Sequence, residues 1–435
     1  MSSLPSRQRL PRVRGLSPRI CCPLAAMAWL LLVGGAFGQD DAARFSSWSK
    51  VELASETKTY REAMIAGGAF DPAARGFLEQ IALPQLQLES NRSTIERIRK
   101  RLREFLLGGI ANEKSAEEAT KTVASFMETL AAQGNVDLVV RVNAMLLIGE
   151  LQSPDRKPWP PAAVMLGKAM ADTALPKAVR IAACVGLARH VEAARGLVEE
   201  QQRLASGALP AIVSVLKEPT SPESVLEIDW MTSRCLAMLP LLGPLQPATA
   251  ADVVRILDDS NRAINVRVRA ASALGAAAGP ESQVNAAAVL QSIGGLAVLS
   301  LERDAANADR LMLDRQYGGG AGQPVTGTIG ALSPDEFGAA GLNPDLAGQQ
   351  LGAQLIPREV CRRAAWRLGV LADAILSEDS KRGIALLAGD IPPAASTLAQ
   401  GLRRAAGALD ERPMEPILRR ALTELKAAAA VVAKP

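Results

Sequence analysis

Val266-Arg267-Val268-Arg269-Ala270-Ala271-Ser272-Ala273-Leu274-Gly275 is the clearest copy of a stretch that recurs along the chain. Near copies run from Val140-Arg141 to Gly149, from Val179-Arg180 to Ala188 and from Val360-Cys361 to Gly369. Counted from the Arg (Cys361 in the last copy), Ala stands three places on, Leu or Ile seven, and Gly or Ala eight. Val, Ala and Leu/Ile are therefore four apart and share one side of an α-helix. The small residue at the eighth place lets a neighbouring helix come close. Stacked helical hairpins are the expected result.

Composition agrees. Of 435 residues, 48% are apolar but only 3% aromatic. Chains rich in Ala and Leu and poor in aromatic residues suit closely packed helices better than sheets. The fold class expected is all-α.

The first residues read as an address. Arg7, Arg9, Arg12, Arg14 and Arg19 precede an apolar run from Leu24 to Phe37, followed by Gly38 and then Gln39-Asp40-Asp41. A basic segment, an apolar core and small residues two apart describe a secretory signal over residues 1–38, cleaved after Gly38. The competing reading is an uncleaved membrane tether. The run is short for a span, however, and contains Pro23, Gly34 and Gly35. Cys21 and Cys22 precede the apolar core, whereas a lipidated cysteine would follow it. An exported location is expected: periplasmic, cell-envelope or extracellular.

Removing the signal changes the charge argument. The whole chain has 49 basic and 45 acidic residues, and losing five arginines leaves 44 against 45, a formal −1. A nucleic-acid binder needs a concentrated basic excess, so no nucleic-acid partner is expected. The densest cluster, Arg97, Arg99, Lys100, Arg101 and Arg103, reads as a solvated helix face. Cys184, Cys235 and Cys361 remain, widely spaced and odd in number, which favours neither disulfides nor zinc. Cys184 and Cys361 fall inside the recurring stretch and read as small buried apolar residues.

Residues 39–134 form an N-terminal helical region of four expected helices. The first runs from Lys50 to Ala66, stopped by Gly67-Gly68. The second opens at Asp71-Pro72 and continues to about Leu88. Ser93-Thr94 caps the third, with Ile95, Ile98, Leu102, Phe105 and Leu106 on one stripe; Ser115 starts the fourth. Repeats follow over 135–303, where Asp137 caps a helix to Leu151, a turn spans Asp155 to Pro161, and Pro176 opens the Arg180 copy. After Pro357, helices are expected to about Ser377, from Pro392 to Leu409 and from Pro413 to Val432, making 357–435 a C-terminal set.

The recurring stretch resembles the second helix of a HEAT repeat, clearly over residues 135–300 and loosely over 357–435. The resemblance implies an α-solenoid, a right-handed superhelical array of about five helical hairpins. The step from Arg141 to Arg180 is 39 residues, near the period of ~40–47 known for such units. The step from Arg180 to Arg267 is 87 residues, so a degenerate copy belongs between them, at Cys235-Leu236 to Leu242-Gly243. The family often places Asp four before its Arg. Asp137 stands there in the first copy, but Pro176, Ala263 and Pro357 in the others. Arg141, Arg180 and Arg267 are expected to tie neighbouring units.

Residues 304–356 read as a flexible Gly/Pro-rich insertion. Its densest part, Gly318 to Gly352, holds 10 of the chain's 35 glycines. No phosphate-binding loop sequence is present.

Chemistry is sparse. His190 is the only histidine, and it sits near a helix end beside Arg189, where a cation would favour the helix dipole. The acid pairs Glu117-Glu118, Glu199-Glu200 and Asp258-Asp259 point apart on a helix and read as solubility features. Asn91-Arg92-Ser93 fits a glycosylation sequon. No catalytic, cofactor-binding or metal-binding residue is assigned. The expected function is a non-catalytic exported scaffold that binds a protein or peptide partner. The alternatives are a self-assembling structural envelope protein and a hydrolase with an unrecognised carboxylate site.

Overall fold

The computed structural model describes residues 51–317 and 352–432, apart from 223, 379–380, 389–391 and 412–414. The signal expected over 1–38 and the densest part of the insertion, 318–351, lie outside the described residues. The fold is all-α: among the described residues, β pairing is limited to an isolated bridge between Gln152 and Pro158.

Fifteen α-helices are described. The N-terminal region holds α1 (Val51–Ile65), α2 (Pro72–Gly76), α3 (Ile95–Arg101) and α4 (Glu113–Ala132). Then come α5 (Leu138–Ile148), α6 (Pro160–Ala171), α7 (Lys177–Ala193), α8 (Val198–Lys217), α9 (Val225–Leu242), α10 (Pro247–Asp258) and α11 (Ile264–Ala277). The last are α12 (Ala286–Tyr317), α13 (Gly352–Ile375), α14 (Pro393–Glu411) and α15 (Glu415–Val432).

The N-terminal region is less regular than its sequence suggests. The helix expected from Asp71 to Leu88 is α2, then a π-helix (Phe77–Ala82) and a 3₁₀ stretch (Leu83–Gln87). Pro84 is the cause: it has no amide hydrogen to give, and its ring displaces the carbonyl a turn earlier. Neither Ser93 nor Thr94 caps α3; the Thr94 hydroxyl donates to the Asn91 carbonyl instead. The fourth helix starts earlier than Ser115, because Asn112 accepts from the Ser115 amide and acts as the cap. Ser115 Oγ donates to the Gly68 carbonyl at 2.8 Å and ties α4 to the turn after α1. Asp137 caps α5 as expected, accepting from the Val139 amide, but the helix ends at Ile148.

From α4 onward the packing is regular. Helices α5, α7, α9, α11 and α13 pack each on the next and form a first row; α6, α8, α10 and α12 form a second. Pairs α4–α5, α6–α7, α8–α9, α10–α11 and α12–α13 join the rows. Helix α14 then packs on α13 and α15, and α15 returns to α12. The degenerate copy takes its place in the first row as α9, with Cys235 and Leu236 buried.

The recurring positions supply the inter-row core. Val140, Ala144 and Ile148 are buried, as are Val179, Ala183 and Leu187, Val266, Ala270 and Leu274, and Val360, Ala364 and Leu368. Alanine in the middle of each triplet keeps the rows close. The eighth-place residue sets the spacing within the first row at two of its junctions. A Cβ on Gly149 would collide with the Gly186 Cα, and one on Gly275 would lie 2.5 Å from the Ala374 carbonyl oxygen. At Gly369 no heavy atom would lie within 4 Å, so the small residue there has no steric duty.

Helices reach into the expected insertion from both sides: α12 continues to Tyr317 and α13 begins at Gly352, so 304–317 and 352–356 are helical.

Gly275→Val is expected to destabilise the fold by about 1–3 kcal/mol, because α11 and α13 must separate. Gly369→Ala is expected to stabilise it by up to about 1 kcal/mol, the helix-propensity gain without a clash. Urea unfolding of the two variants beside the parent measures both.

Candidate binding face

The site is built from what holds the first row in place. Arg141 Nε donates to the Ala131 carbonyl at 2.8 Å, Arg180 Nε to Met170 at 2.9 Å and Arg267 Nε to Leu257 at 2.7 Å. Each acceptor lies ten residues back, one residue before the end of α4, α6 or α10. A helix end leaves carbonyls without intrahelical donors and carries negative partial charge. The buried guanidinium meets both needs. These arginines therefore tie the two helices of one hairpin, a correction to the expectation that they tie neighbouring units. Arg180 does both, since it also pairs two-pronged with Glu218 in the loop before α9.

Other buried charges join neighbouring pairs. Arg262 Nε lies 2.7 Å from Asp229 of α9, and Asp229 also accepts from the Ala263 amide that opens α11. Where Cys361 replaces the arginine, Arg367, six residues along the same helix, supplies the buried cation. Its Nη1 donates to Asp304 of α12 at 2.8 Å, and its Nε to Asn265 of α11 at 2.8 Å. Burial holds the Asp304 carboxyl above the ordinary range against the lowering effect of Arg367.

Several residues read as solvated in the sequence carry structure. Glu150 gathers Arg99 at 3.4 Å, Arg103 at 3.5 Å and Arg189 at 3.2 Å, joining α3 to α5 and α7. The basic cluster is thus partly internal. Glu200 is buried and pairs with Arg203 and Lys157, while Glu117 accepts from the buried Trp159 indole. Asn91 is buried too, with Nδ2 donating to Gln85, so the folded chain closes the sequon. His190 is neutral, not a dipole-favouring cation: burial pushes it down to about 4, and Nε2 sits 3.3 Å from the Ile148 carbonyl. Because that oxygen only accepts, Nε2 holds the hydrogen.

Cys184, Cys235 and Cys361 are buried and free, Cys184 and Cys361 as expected. The hydrogen bond that the Cys235 thiol gives to Cys184 and its burial both push that thiol up, and burial pushes Cys361 up to about 11. Among the described residues, no three His, Cys, Asp or Glu side chains are grouped to hold a metal ion. Two clefts open beside the first row. One, of about 310 Å³, lies over Arg180 and Glu218, which pair with each other, and beside Lys177 and Glu227, which do the same. The other, of about 430 Å³, is lined by Ser272, Asp373, Ser377 and Arg382, with Asp373 held by Arg403.

Ion pairs bridge helices on both rows: Asp252 of α10 to Lys217 of α8 on the second, and Lys177 of α7 to Glu227 of α9 on the first, with Glu128 of α4 reaching Lys168 of α6 and Glu302 of α12 reaching Lys426 of α15. On the first row, each helix presents a stripe of side chains four apart. In α5 it is Leu138, Val142 and Leu146; in α7, Ile181 and Val185; in α9, Leu226, Trp230 and Arg234. Leu138 is 46% exposed and Leu226 65%. The stripe continues as Asn265 and Arg269 in α11 and as Arg362, Trp366 and Val370 in α13. Apolar side chains fill the α5–α7 end, and arginine with tryptophan the α9–α13 end. Among the described residues, no helix is long and apolar enough to cross a membrane.

Arg267→Ala should cost about 1–3 kcal/mol by orphaning the Leu257 carbonyl, and Arg267→Lys should recover little because it lacks Nε. Unfolding free energies of the two variants decide this. His190 has its own signature. Its folded value lies below the ordinary 6.5 of the unfolded chain, so its contribution is complete above pH 6.5 and fades as pH falls toward 4. The loss amounts to about 3 kcal/mol. The stability difference between the parent and His190→Gln should shrink over that window; parallel profiles would contradict a neutral buried imidazole.

Comparison with known protein families, curated proteins and solved structures finds no match.

Proposed function

We propose that the chain is an α-solenoid of HEAT-like hairpins, exported under the direction of residues 1–38, and that it acts as a non-catalytic scaffold holding a protein or peptide partner on the outer face of its first row. The observation that carries this reading is the line of apolar side chains on the first row. Val142, Leu146, Ile181 and Val185 stand half-buried on α5 and α7, followed by Leu226 and Trp230 on α9 and Trp366 on α13, with Leu138, Leu226 and Trp366 exposed. Apolar side chains aligned across several helices mark an interaction surface better than single ones do. The recurring Arg-to-carbonyl bond and the roughly 40-residue spacing support the repeat reading. The buried carboxylates and the histidine are engaged in structural contacts, which favours binding over catalysis.

The test is a pull-down with residues 39–435 against extract from the protein's own cell envelope. Leu138→Glu with Leu226→Glu places charge on the first-row stripe at exposed positions; Val164→Glu, 56% exposed on α6, is the control. A stoichiometric partner kept by the control and lost by the stripe variant is the expected result. Loss from both, or from neither, moves the site off this face. Recovery of the chain alone, growing in size with concentration, would replace the scaffold with self-assembly.

A further inference from the structure

We infer that the α9–α13 end of the first-row face receives an acidic side chain of a peptide segment, with its carboxylate bound by Arg269 between Trp230 and Trp366. The inference rests on the reading of this face as the partner surface and adds the chemistry of the partner. Three helices far apart in sequence build the site. In α9 the Arg234 guanidinium lies over the Trp230 ring, 5.3 Å from its centroid. In α13 Trp366 lies under Arg269 of α11, 5.0 Å away, and is itself 39% exposed. The order across the face is Trp230, Arg234, Arg269, Trp366.

Arg269 differs from the other internal arginines. Arg99, Arg141, Arg180, Arg262, Arg267 and Arg367 all give their donors to carbonyls, amides or carboxylates. Among the described residues, no carboxylate pairs with Arg269; its contacts are the Trp366 ring and the nearby charge of Arg234. Partial burial and that second cation lower its pKa, so its charged form lacks compensation within its own surroundings. A guanidinium over an indole ring gives that ring no N–H···O hydrogen bond, so its donors stay available to match a carboxylate in a two-pronged geometry.

The rest of the face selects the kind of molecule. The adjoining stripes on α7 and α5 are apolar, with Ile181, Val185, Val142 and Leu146 half-buried in line. A ligand spanning both ends therefore combines apolar side chains with an acidic one, as an amphipathic peptide does. A nucleic acid would find one short basic spot beside an apolar strip. Tryptophan and arginine together are also the residues that dominate binding energy at the centres of protein interfaces.

The experiment is selection of a displayed random-peptide library on residues 39–435, followed by fluorescence titration of the best synthetic peptide. Enriched peptides should share Asp or Glu beside apolar residues. Replacing that acid by its amide in the peptide should weaken binding at least about tenfold, as should Arg269→Gln in the protein, and combining the two should add little. Because the peptide change leaves the protein intact, a misfolded Arg269→Gln does not rescue or sink the result. Binding should weaken with salt and change Trp366 emission, a signal lost in Trp366→Phe. Enriched peptides without acids, or binding indifferent to the amide change, overturn this inference and leave the scaffold reading standing. A library that yields no binder, with no partner from the envelope extract, overturns both.

Discussion

One hydrogen bond organises the array: the Nε–H of an arginine that is the fourth residue of a first-row helix, donating to the carbonyl one residue before the end of the helix that precedes it. Packing two rows of helices together buries helix ends, and each buried end brings unsatisfied carbonyls and negative partial charge. Water cannot reach them, so a side chain must. Arginine suits the task because its stem packs as an apolar residue while its head supplies directed donors. Repeating the contact at the same place sets the same offset between the helices of each pair. The row can then continue with Val, Ala and Leu or Ile at the interface and glycine where two backbones meet, as at Gly149 and Gly275. Where the arginine is missing, at Cys361, a buried Arg367–Asp304 pair anchored on Asn265 joins α11, α12 and α13. Such pairs fix geometry more than they add stability.

This account separates what the sequence makes visible from what it hides. The Val, Ala and Leu/Ile spacing forecasts the helices of the first row and the side they bury, and the Cys235 region, expected as a degenerate copy, is helical and packs between α7 and α11. The acceptor of each arginine is invisible because a backbone carbonyl has no sequence identity; the constant ten-residue offset to a helix end is its one trace. Pro84 is readable as a breaker, but the shift to π and 3₁₀ geometry around it depends on packing. His190 misleads because its position at a helix end suggests a cation, whereas its depth decides for the neutral form. The Trp230 to Trp366 line is hidden for a different reason: it combines i,i+4 neighbours on α9 with side chains from α11 and α13, whose adjacency only the fold supplies.

The two faces follow from the same geometry. Because each row helix buries one side against the opposite row and two flanks against its own neighbours, a single stripe remains for solvent. On the second row that stripe mixes the Asp252–Lys217 ion pair with exposed Val164 and Val198; on the first it is apolar at one end and aromatic and cationic at the other. A rigid, repeated scaffold displaying a graded surface suits recognition of an extended partner, and nothing in the proposed role asks the buried charges to do more than hold it.

The most direct test of the arginine account is the hydrogen exchange of arginine Nε–H groups, followed by ¹⁵N nuclear magnetic resonance with assignment by single Arg→Lys substitution. The account predicts slow exchange at Arg141, Arg180 and Arg267, with one protected signal lost in each variant, while Arg195, exposed after α7 and bonded to Glu192 through Nη2, exchanges fast at Nε. Nε–H groups at the three positions exchanging as fast as that of Arg195 would contradict the bond on which the array is built.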